Sequence, residues 1–147
     1  SSGGNTVVIG APTKHTPDTP DWSGAIYVFE KGSRNLWSET AFFKASNAEE
    51  EDYFGSTLAL SNEGDTLAVR SSGDSEVYTF RRTTDGNWSE QSLFKARAYN
   101  AEFGSSLELS GDGEKLLIGA PGEDSDATGV SGEQNNNAED AGAVYVY

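Results

Sequence analysis

The sequence predicts an all-β protein whose strands are arranged as the four-stranded blades of a β-propeller. The run FGSTLALSNEGDTLAV at residues 54–69 returns as FGSSLELSGDGEKLLI at 103–118, which is 49 residues later. The run WSETAFFKA at 37–45 returns as WSEQSLFKA at 88–96, which is 51 residues later. Each period of about 50 residues contains short strand-like runs separated by turn residues, the pattern that is typical of propeller blades.

The first unit, residues 1–45, is expected to form strands two, three and four of a blade. Continuous apolar residues at Val7, Val8 and Ile9 favour a central strand that is covered on both faces. A polar loop separates this strand from the next, and the acidic connector at 46–52 is expected to be solvated. The expected strands of this unit are 6–12, 25–29 and 37–45.

The middle unit, residues 54–96, is the one complete blade. Leu58 and Leu60 alternate with more polar or smaller neighbours, which is the pattern of a half-buried strand. Gly64 is expected to supply the positive φ of a hairpin turn. The four expected strands begin at Phe54, Thr66, Glu76 and Trp88.

The third unit, residues 103–147, is expected to contain strands one, two and three of a blade, at 103–110, 115–119 and 143–147, with a long acidic loop at 122–142. The ten expected strands therefore group as three, four and three. Because ten strands do not close a regular propeller, the chain is expected to be part of a larger ring, a piece of a longer propeller. The alternative is that other chains complete the ring. The break within a blade at each end favours the first interpretation.

The composition restricts the possible partners. The chain has 147 residues, 24 acidic against 10 basic, with a net charge of −14. Such a surface repels nucleic-acid phosphates and anionic membranes, so neither is expected as a partner. No apolar run is long enough to span a membrane, and the absence of cysteine excludes disulfides. Cation binding remains compatible with this charge.

Several of these motifs resemble the FG-GAP repeat, which builds the propellers of integrin α-subunits and of many bacterial secreted and surface proteins. The resemblance rests on Phe-Gly at 54–55 and 103–104, on Gly-Ala-Pro at 10–12 and 119–121, and on the runs SGAIYVF and AGAVYVY. It covers nearly the whole chain and specifies a repeat type rather than an activity. Phe54 and Phe103 are expected to pack between blades. The middle unit departs from it, with Arg70-Ser71-Ser72 in place of Gly-Ala-Pro.

The resemblance implies a noncatalytic module of a secreted or cell-surface protein that binds a protein or glycan through loops on one propeller face. Two alternatives stay open. The chain is a structural subunit whose incomplete blades assemble with other copies into a ring or filament, or it is the noncatalytic propeller of a larger secreted enzyme. No Gly-x-Ser-x-Gly elbow or phosphate-binding loop is present in the sequence, and we expect no enzymatic activity.

A calcium site is one candidate in the third unit. The turns between strands one and two are too short for the integrin-type calcium loop, but the longer loop offers oxygen ligands at alternate positions. No acid stands at the twelfth position of this pattern, so a solvated polar loop is the alternative. The candidate ligands are Asp124, Asp126, Thr128, Val130 (by its carbonyl) and Glu133.

A ligand-binding site is the second candidate, in the first unit. Trp22 has no equivalent in the other repeats and stands beside Asp21, in the polar loop that also contains His15. A tryptophan exposed in a polar loop is suited to a glycan or protein ligand, and the alternative is that it covers the edge of its own blade. Trp37 and Trp88 occupy equivalent repeat positions, which predicts that both pack between blades.

Overall fold

The computed structural model describes residues 1–18, 20–96, 101–126 and 137–147. Over these ranges the chain is all-β, and no helix long and apolar enough to cross a membrane is found among them. The ten strands are β1 (Thr6–Ala11), β2 (Ala25–Lys31), β3 (Trp37–Phe43), β4 (Phe54–Leu60), β5 (Thr66–Ser71), β6 (Glu76–Arg82), β7 (Trp88–Lys95), β8 (Ser106–Leu109), β9 (Leu116–Ala120) and β10 (Ala143–Val146).

The strands form three antiparallel sheets, each a simple meander of consecutive strands. The first sheet contains β1, β2 and β3, the middle sheet β4 to β7, and the third sheet β8, β9 and β10. The predicted grouping of three, four and three strands is therefore confirmed. One boundary differs, because β8 begins at Ser106 rather than at Phe103. Phe103 and Gly104 instead form a turn, closed by a hydrogen bond from the Ser105 N–H to the Glu102 carbonyl (3.0 Å).

Two of the sheets contain the same irregularity. The pairing of β2 with β3 shifts register between Val28 and Phe29, and the pairing of β6 with β7 shifts between Thr79 and Phe80. These positions are equivalent in the repeat. A bulge bends its strand and increases the local twist, so the outer strands of the first and middle sheets twist at the same place.

The core lies between the sheets, in two clusters. Phe54 fills the first cluster and is fully buried, with its ring edge-on to Tyr78 at 5.4 Å between centroids. Phe103 has the corresponding position in the second cluster and meets Tyr145 edge-on at 5.3 Å. The two Phe-Gly phenylalanines therefore pack between neighbouring sheets, as the repeat predicted.

The first two sheets approach each other closely where Gly-Ala-Pro meets Phe-Gly. A Cβ at Gly10 would lie 2.0 Å from the Gly55 carbonyl oxygen, and one at Gly24 would lie 2.2 Å from the Phe54 carbonyl oxygen. Neither distance is possible for real atoms, so both positions need glycine. Gly24 and Phe54 also form a parallel bridge, which ties the sheets together at this point.

Candidate functional site

The loop after β1, residues 12–24, is fastened to the connector that leads into the middle sheet. The N–H groups of Glu51 and Tyr53 donate to the carbonyls of Asp21 and Trp22, both at 3.0 Å. The Phe54 N–H donates to the Ser23 carbonyl at 3.2 Å. These three bonds follow one another along the two segments, so the loop end and the connector form a single ordered strip.

The corresponding loops of the other sheets begin beside connectors too. In the middle sheet, the Asp52 carbonyl accepts from the Gly73 N–H (3.0 Å) and from the Ser71 hydroxyl (2.8 Å). In the third sheet, the Gly122 N–H donates to the Ala101 carbonyl (3.1 Å). The described ends of the three loops thus lie along one edge of the stacked sheets, which we call the loop edge.

Trp22 stacks on Tyr53 at the loop edge. Their ring centroids are 6.4 Å apart and the planes differ by 15°, while Trp22 stays 44% exposed. Trp22, Glu51 and Tyr53 have φ values of 53°, 63° and 52°. A side-chain-bearing residue in this left-handed region costs about 1–3 kcal/mol and persists only where surrounding contacts fix it. All three residues lie in one patch, so contacts within the fold hold this patch in a backbone conformation that these residues would otherwise disfavour.

The other two predicted ligand-binding residues belong to the same loop. Asp21 is exposed and its carbonyl accepts the bond from Glu51. His15 is exposed and follows Lys14, whose carbonyl accepts from the Gly24 N–H at 3.0 Å. The structure therefore brings Trp22 and Asp21 together with the connector, and places His15 on the opposite limb of the loop. Sequence reasoning missed Tyr53, although an aromatic residue directly before a Phe-Gly pair was the available signal.

A buried carboxylate fixes the neighbouring part of the loop edge. Glu76 forms an ion pair with Lys95 and accepts a hydrogen bond from the Tyr78 hydroxyl, which is also 2.6 Å from the Asn47 amide oxygen. Burial by itself would raise the pKa of Glu76, but the hydrogen bonds from Lys95, Tyr78 and Asn47 outweigh it, and the pKa lies below its ordinary value. Burial and the Glu76 carboxylate together raise the pKa of Tyr78. Glu76 is thus an ionised structural group.

Asp52 corrects one prediction from the sequence. The acidic connector was expected to be solvated throughout, yet Asp52 is buried. Its carboxylate accepts from the Glu49 N–H at 2.6 Å. Burial raises the pKa of Asp52, and that hydrogen bond offsets the effect only in part. The carboxylate caps the turn of its own connector, while the other acids of the run are exposed.

The candidate calcium loop is described only at its two ends. Asp124 accepts a hydrogen bond from the Asp140 N–H at its carboxylate (3.0 Å) and one from the Ala138 N–H at its carbonyl (2.8 Å). Asp126 is exposed. In the described part of the chain, no three His, Cys, Asp or Glu side chains are grouped so as to hold a metal ion. The remaining candidate ligands, Thr128, Val130 and Glu133, lie outside the described residues.

The two repeat-equivalent tryptophans have different surroundings. Trp88 packs on Phe43, with 6.3 Å between ring centroids, and so lies between the middle and first sheets as predicted. Trp37 is 46% exposed on the outer face of the first sheet. The prediction that both pack between blades is therefore confirmed for Trp88. For Trp37 it stays a prediction, because no described sheet lies against that outer face.

The fold and the loop edge define an all-β protein of three stacked antiparallel sheets with an aromatic surface at one edge. No protein-family model and no curated protein matches this chain. A crystal structure of a protein from Lactobacillus plantarum, determined by a structural genomics consortium, is similar with a TM-score of 0.51 and 20% sequence identity. The alignment covers 91% of this chain and 41% of that one, so this chain spans about two fifths of its length. At this identity the similarity concerns the fold alone.

Proposed function

We propose that this chain is a noncatalytic binding module of a secreted or cell-surface protein, and that the Trp22–Tyr53 stack contacts the ligand. The observation behind the proposal is an exposed tryptophan that is stacked on a tyrosine and fixed by backbone hydrogen bonds at both residues. Aromatic side chains offer a large contact area with few rotatable bonds. Because the strip is ordered before any ligand arrives, little conformational entropy is lost on binding.

The chemistry of the patch favours a protein or glycan with an apolar face and a basic or hydroxyl-rich rim. The exposed Asp21 and Glu51 flank the aromatic pair, and the whole chain has a net charge of −14. Carboxylates around an aromatic centre attract basic groups and accept hydrogen bonds from hydroxyls. Tryptophan and tyrosine are also the residues that most often dominate the energy of protein interfaces.

We further propose that the three sheets are blades of a β-propeller of the FG-GAP type. Support comes from the internal repeat, from the meander order of each sheet and from the packing of Phe54 and Phe103 between neighbouring sheets. In this proposal the loop edge is one face of the propeller, and calcium in the loop after β9 is an additional ligand.

Replacement of the aromatic pair tests the binding proposal. The chain is screened against a glycan microarray and a panel of extracellular proteins, and the best binder is titrated with wild type, Trp22→Ala and Tyr53→Ala. Loss of an interface hot spot costs at least about 2 kcal/mol, so each variant is expected to bind at least about 30-fold more weakly. Phe42→Ala removes another exposed aromatic, 45% exposed on β3, and serves as the matched control. Equal affinities for all four proteins would refute the proposal.

A further inference from the structure

Three side chains at the loop edge have the arrangement that an amide-forming reaction needs. Glu76 is buried, and its two carboxylate oxygens contact different partners. One oxygen forms the ion pair with the Lys95 ammonium group, and the other accepts from the Asn47 side-chain amide at 3.4 Å. Glu76 therefore holds an amine, which can act as a nucleophile, close to a carboxamide, which can act as its electrophile.

A fourth group lies at the carbonyl oxygen of that carboxamide. The Tyr78 hydroxyl is 2.6 Å from the Asn47 Oδ1 atom and also contacts Glu76. Tyr78 is fully buried, and burial together with the Glu76 carboxylate raises the pKa of its hydroxyl, which therefore keeps its proton. A hydroxyl donor at a carbonyl oxygen stabilises the negative charge that develops there when an amine attacks the carbon.

The first sheet has the same lysine without the same surroundings. Lys44 is the repeat equivalent of Lys95, but the equivalent of Glu76 in the first sheet is Ala25. Lys44 donates to the Ser23 hydroxyl at 2.8 Å. A lysine at this strand position is thus common to both sheets, whereas the buried acid that joins it to a carboxamide belongs to the middle sheet and not to the first.

We propose that Lys95 and Asn47 join in an intramolecular isopeptide bond, with Glu76 as the group that transfers protons. The Lys95 ammonium group gives a proton to the Glu76 carboxylate, and the free amine attacks the Asn47 Cγ atom while the Tyr78 hydroxyl donates to the carbonyl oxygen. The Cγ–Nζ bond forms and the Cγ–Nδ2 bond breaks. Glu76 passes protons from the lysine nitrogen to the departing nitrogen, which leaves as ammonium, so no other reactant is needed.

The charges around Lys95 determine how the reaction depends on pH. Lys95 is exposed, and Glu76 raises the pKa of its ammonium group, with smaller contributions from Asp74 and Glu49. The protonated amine is unreactive, so the reaction is slow at neutral pH, and the ion pair described above is the state that precedes it. Below that pKa, each pH unit increases the fraction of free amine about tenfold. The rate is therefore expected to rise at alkaline pH.

The bond fastens the connector at 46–52 to the end of β7. Asn47 stands in the connector that follows the first sheet, and Lys95 is the last residue of β7, the final strand of the middle sheet. The chain between them, which includes all four strands of the middle sheet, becomes a covalently closed loop. Closing a loop restricts the unfolded chain, so the joined form is expected to unfold at a higher urea concentration than the open form.

Mass spectrometry of the intact chain tests the proposal. Purified wild-type protein is kept at neutral and at alkaline pH, and its mass is expected to fall by one ammonia, faster at alkaline pH. Trypsin then no longer cleaves after Lys95, and a pair of peptides joined through Lys95 and Asn47 appears. Lys95→Arg keeps the positive charge that pairs with Glu76 but cannot form the bond, so this variant is expected to give no joined peptides.

The matched control is Lys44→Arg, which makes the same exchange at the equivalent position of the first sheet and should react like wild type. Glu76→Gln keeps both reacting groups and removes the proton carrier, so its rate is expected to fall at least about 100-fold. Far-ultraviolet circular dichroism establishes that every variant is folded. The proposal is overturned by wild-type protein that gives no joined peptides at alkaline pH, or by a Glu76→Gln variant that reacts at the wild-type rate. Trp22 and Tyr53 take no part in the reaction, so this outcome and that of the ligand titration are independent.

Discussion

At the scale of the residue, two buried acids of the loop edge respond to pH in opposite directions. The pKa of Glu76 is lowered, so its contribution to stability is present above its ordinary value of 4.5 and disappears as pH falls through the folded value. The pKa of Asp52 is raised, chiefly by burial, so its contribution is present below its ordinary value of 3.8 and is lost as pH rises through the folded value. Around neutral pH, Glu76 stabilises the fold and Asp52 opposes it.

Glu76→Gln tests the first of these effects. The neutral amide loses the ion pair with Lys95 and the charge-assisted bond from Tyr78, so the free energy of unfolding at pH 7 is expected to fall by about 1–3 kcal/mol. Urea denaturation measures it, and the difference from wild type should begin to shrink as pH falls below 4.5, because the unfolded chain then takes up a proton at Glu76. It should be smallest below the lower pKa of the folded state, where the native carboxylate is protonated too. Glu39→Gln, an exposed change on β3, should stay within about 0.5 kcal/mol at every pH. A pH-independent difference for Glu76→Gln would contradict the ionised state of Glu76.

Single residues were only partly predictable from the sequence. The exposure of Trp22 was one of two possibilities that the sequence left open, the other being that this side chain covers the edge of its own blade. The stack with Tyr53 was not foreseen, since it depends on two left-handed backbone positions that no local pattern announces. The burial of Asp52 was missed because four consecutive acids normally form a solvated face.

Arg70 shows another limit of residue-level prediction. It stands where the first sheet has Gly10, and the sequence left its role open. A Cβ at Gly104 would lie 3.1 Å from the Arg70 Cγ, so the arginine stem packs against the Phe103-Gly104 turn. The Arg70 Nε is buried and has no hydrogen-bond partner among the described residues, and burial lowers the pKa of this side chain. At the contact between the middle and third sheets, the Arg70 side chain thus fills the position that Gly10 occupies at the contact between the first and middle sheets.

At the scale of the element, the strands could be predicted because the same strand-like runs recur at equivalent positions in the repeats. An apolar run such as Leu67 to Val69 could belong to a strand or to a helix when it stands alone. It recurs at 116–118 and is followed each time by a tyrosine-containing strand, which indicates that the run is itself a strand and which strand pairs with it. The start of β8 was misplaced because Phe103 and Gly104 have the composition of a strand and the conformation of a turn.

The calcium hypothesis concerns the loop after β9, and calcium binding there stays a prediction. Extracellular calcium modules bind at about 0.1–1 mM, so about 1 mM Ca²⁺ is expected to raise the melting temperature of the chain. Asp126→Asn should abolish that rise, whereas Asp18→Asn, in the loop after β1, should leave it unchanged. Scanning calorimetry with and without a chelator gives the measurement, and identical melting temperatures in both conditions would remove the calcium hypothesis.

At the scale of the whole molecule, stability depends on how closely neighbouring sheets approach. The sequence predicted that Phe54 and Phe103 pack between neighbouring sheets, but the contact between Gly10 and Gly55 appears only in three dimensions. Gly10 and Gly55 lie 45 positions apart in different repeats, and the sequence does not reveal that their backbone atoms meet. The physical reason for glycine at position 10 is therefore the neighbouring middle sheet, whereas a Cβ at Gly119 would meet Ser106 of its own sheet.

Gly10→Ala tests this explanation. The added methyl group would meet the Gly55 carbonyl oxygen at 2.0 Å, so the first and middle sheets must separate or the backbone must shift. We expect the variant to lose about 1–3 kcal/mol in chemical denaturation, as overpacked sites do. Gly3→Ala is the matched control, because the nearest atom to its Cβ would be 3.7 Å away. Equal stability of the two variants would show that the sheets tolerate a wider spacing.

The shared register shift of the first and middle sheets bears on how such a molecule changes in length over evolution. The hairpins β2–β3 and β6–β7 have their bulges at equivalent positions, so they have the same bend. Unequal recombination between two such gene segments would insert or delete a unit whose strands already match their new neighbours. A unit gained or lost in this way would change the number of sheets without changing the geometry of any one sheet.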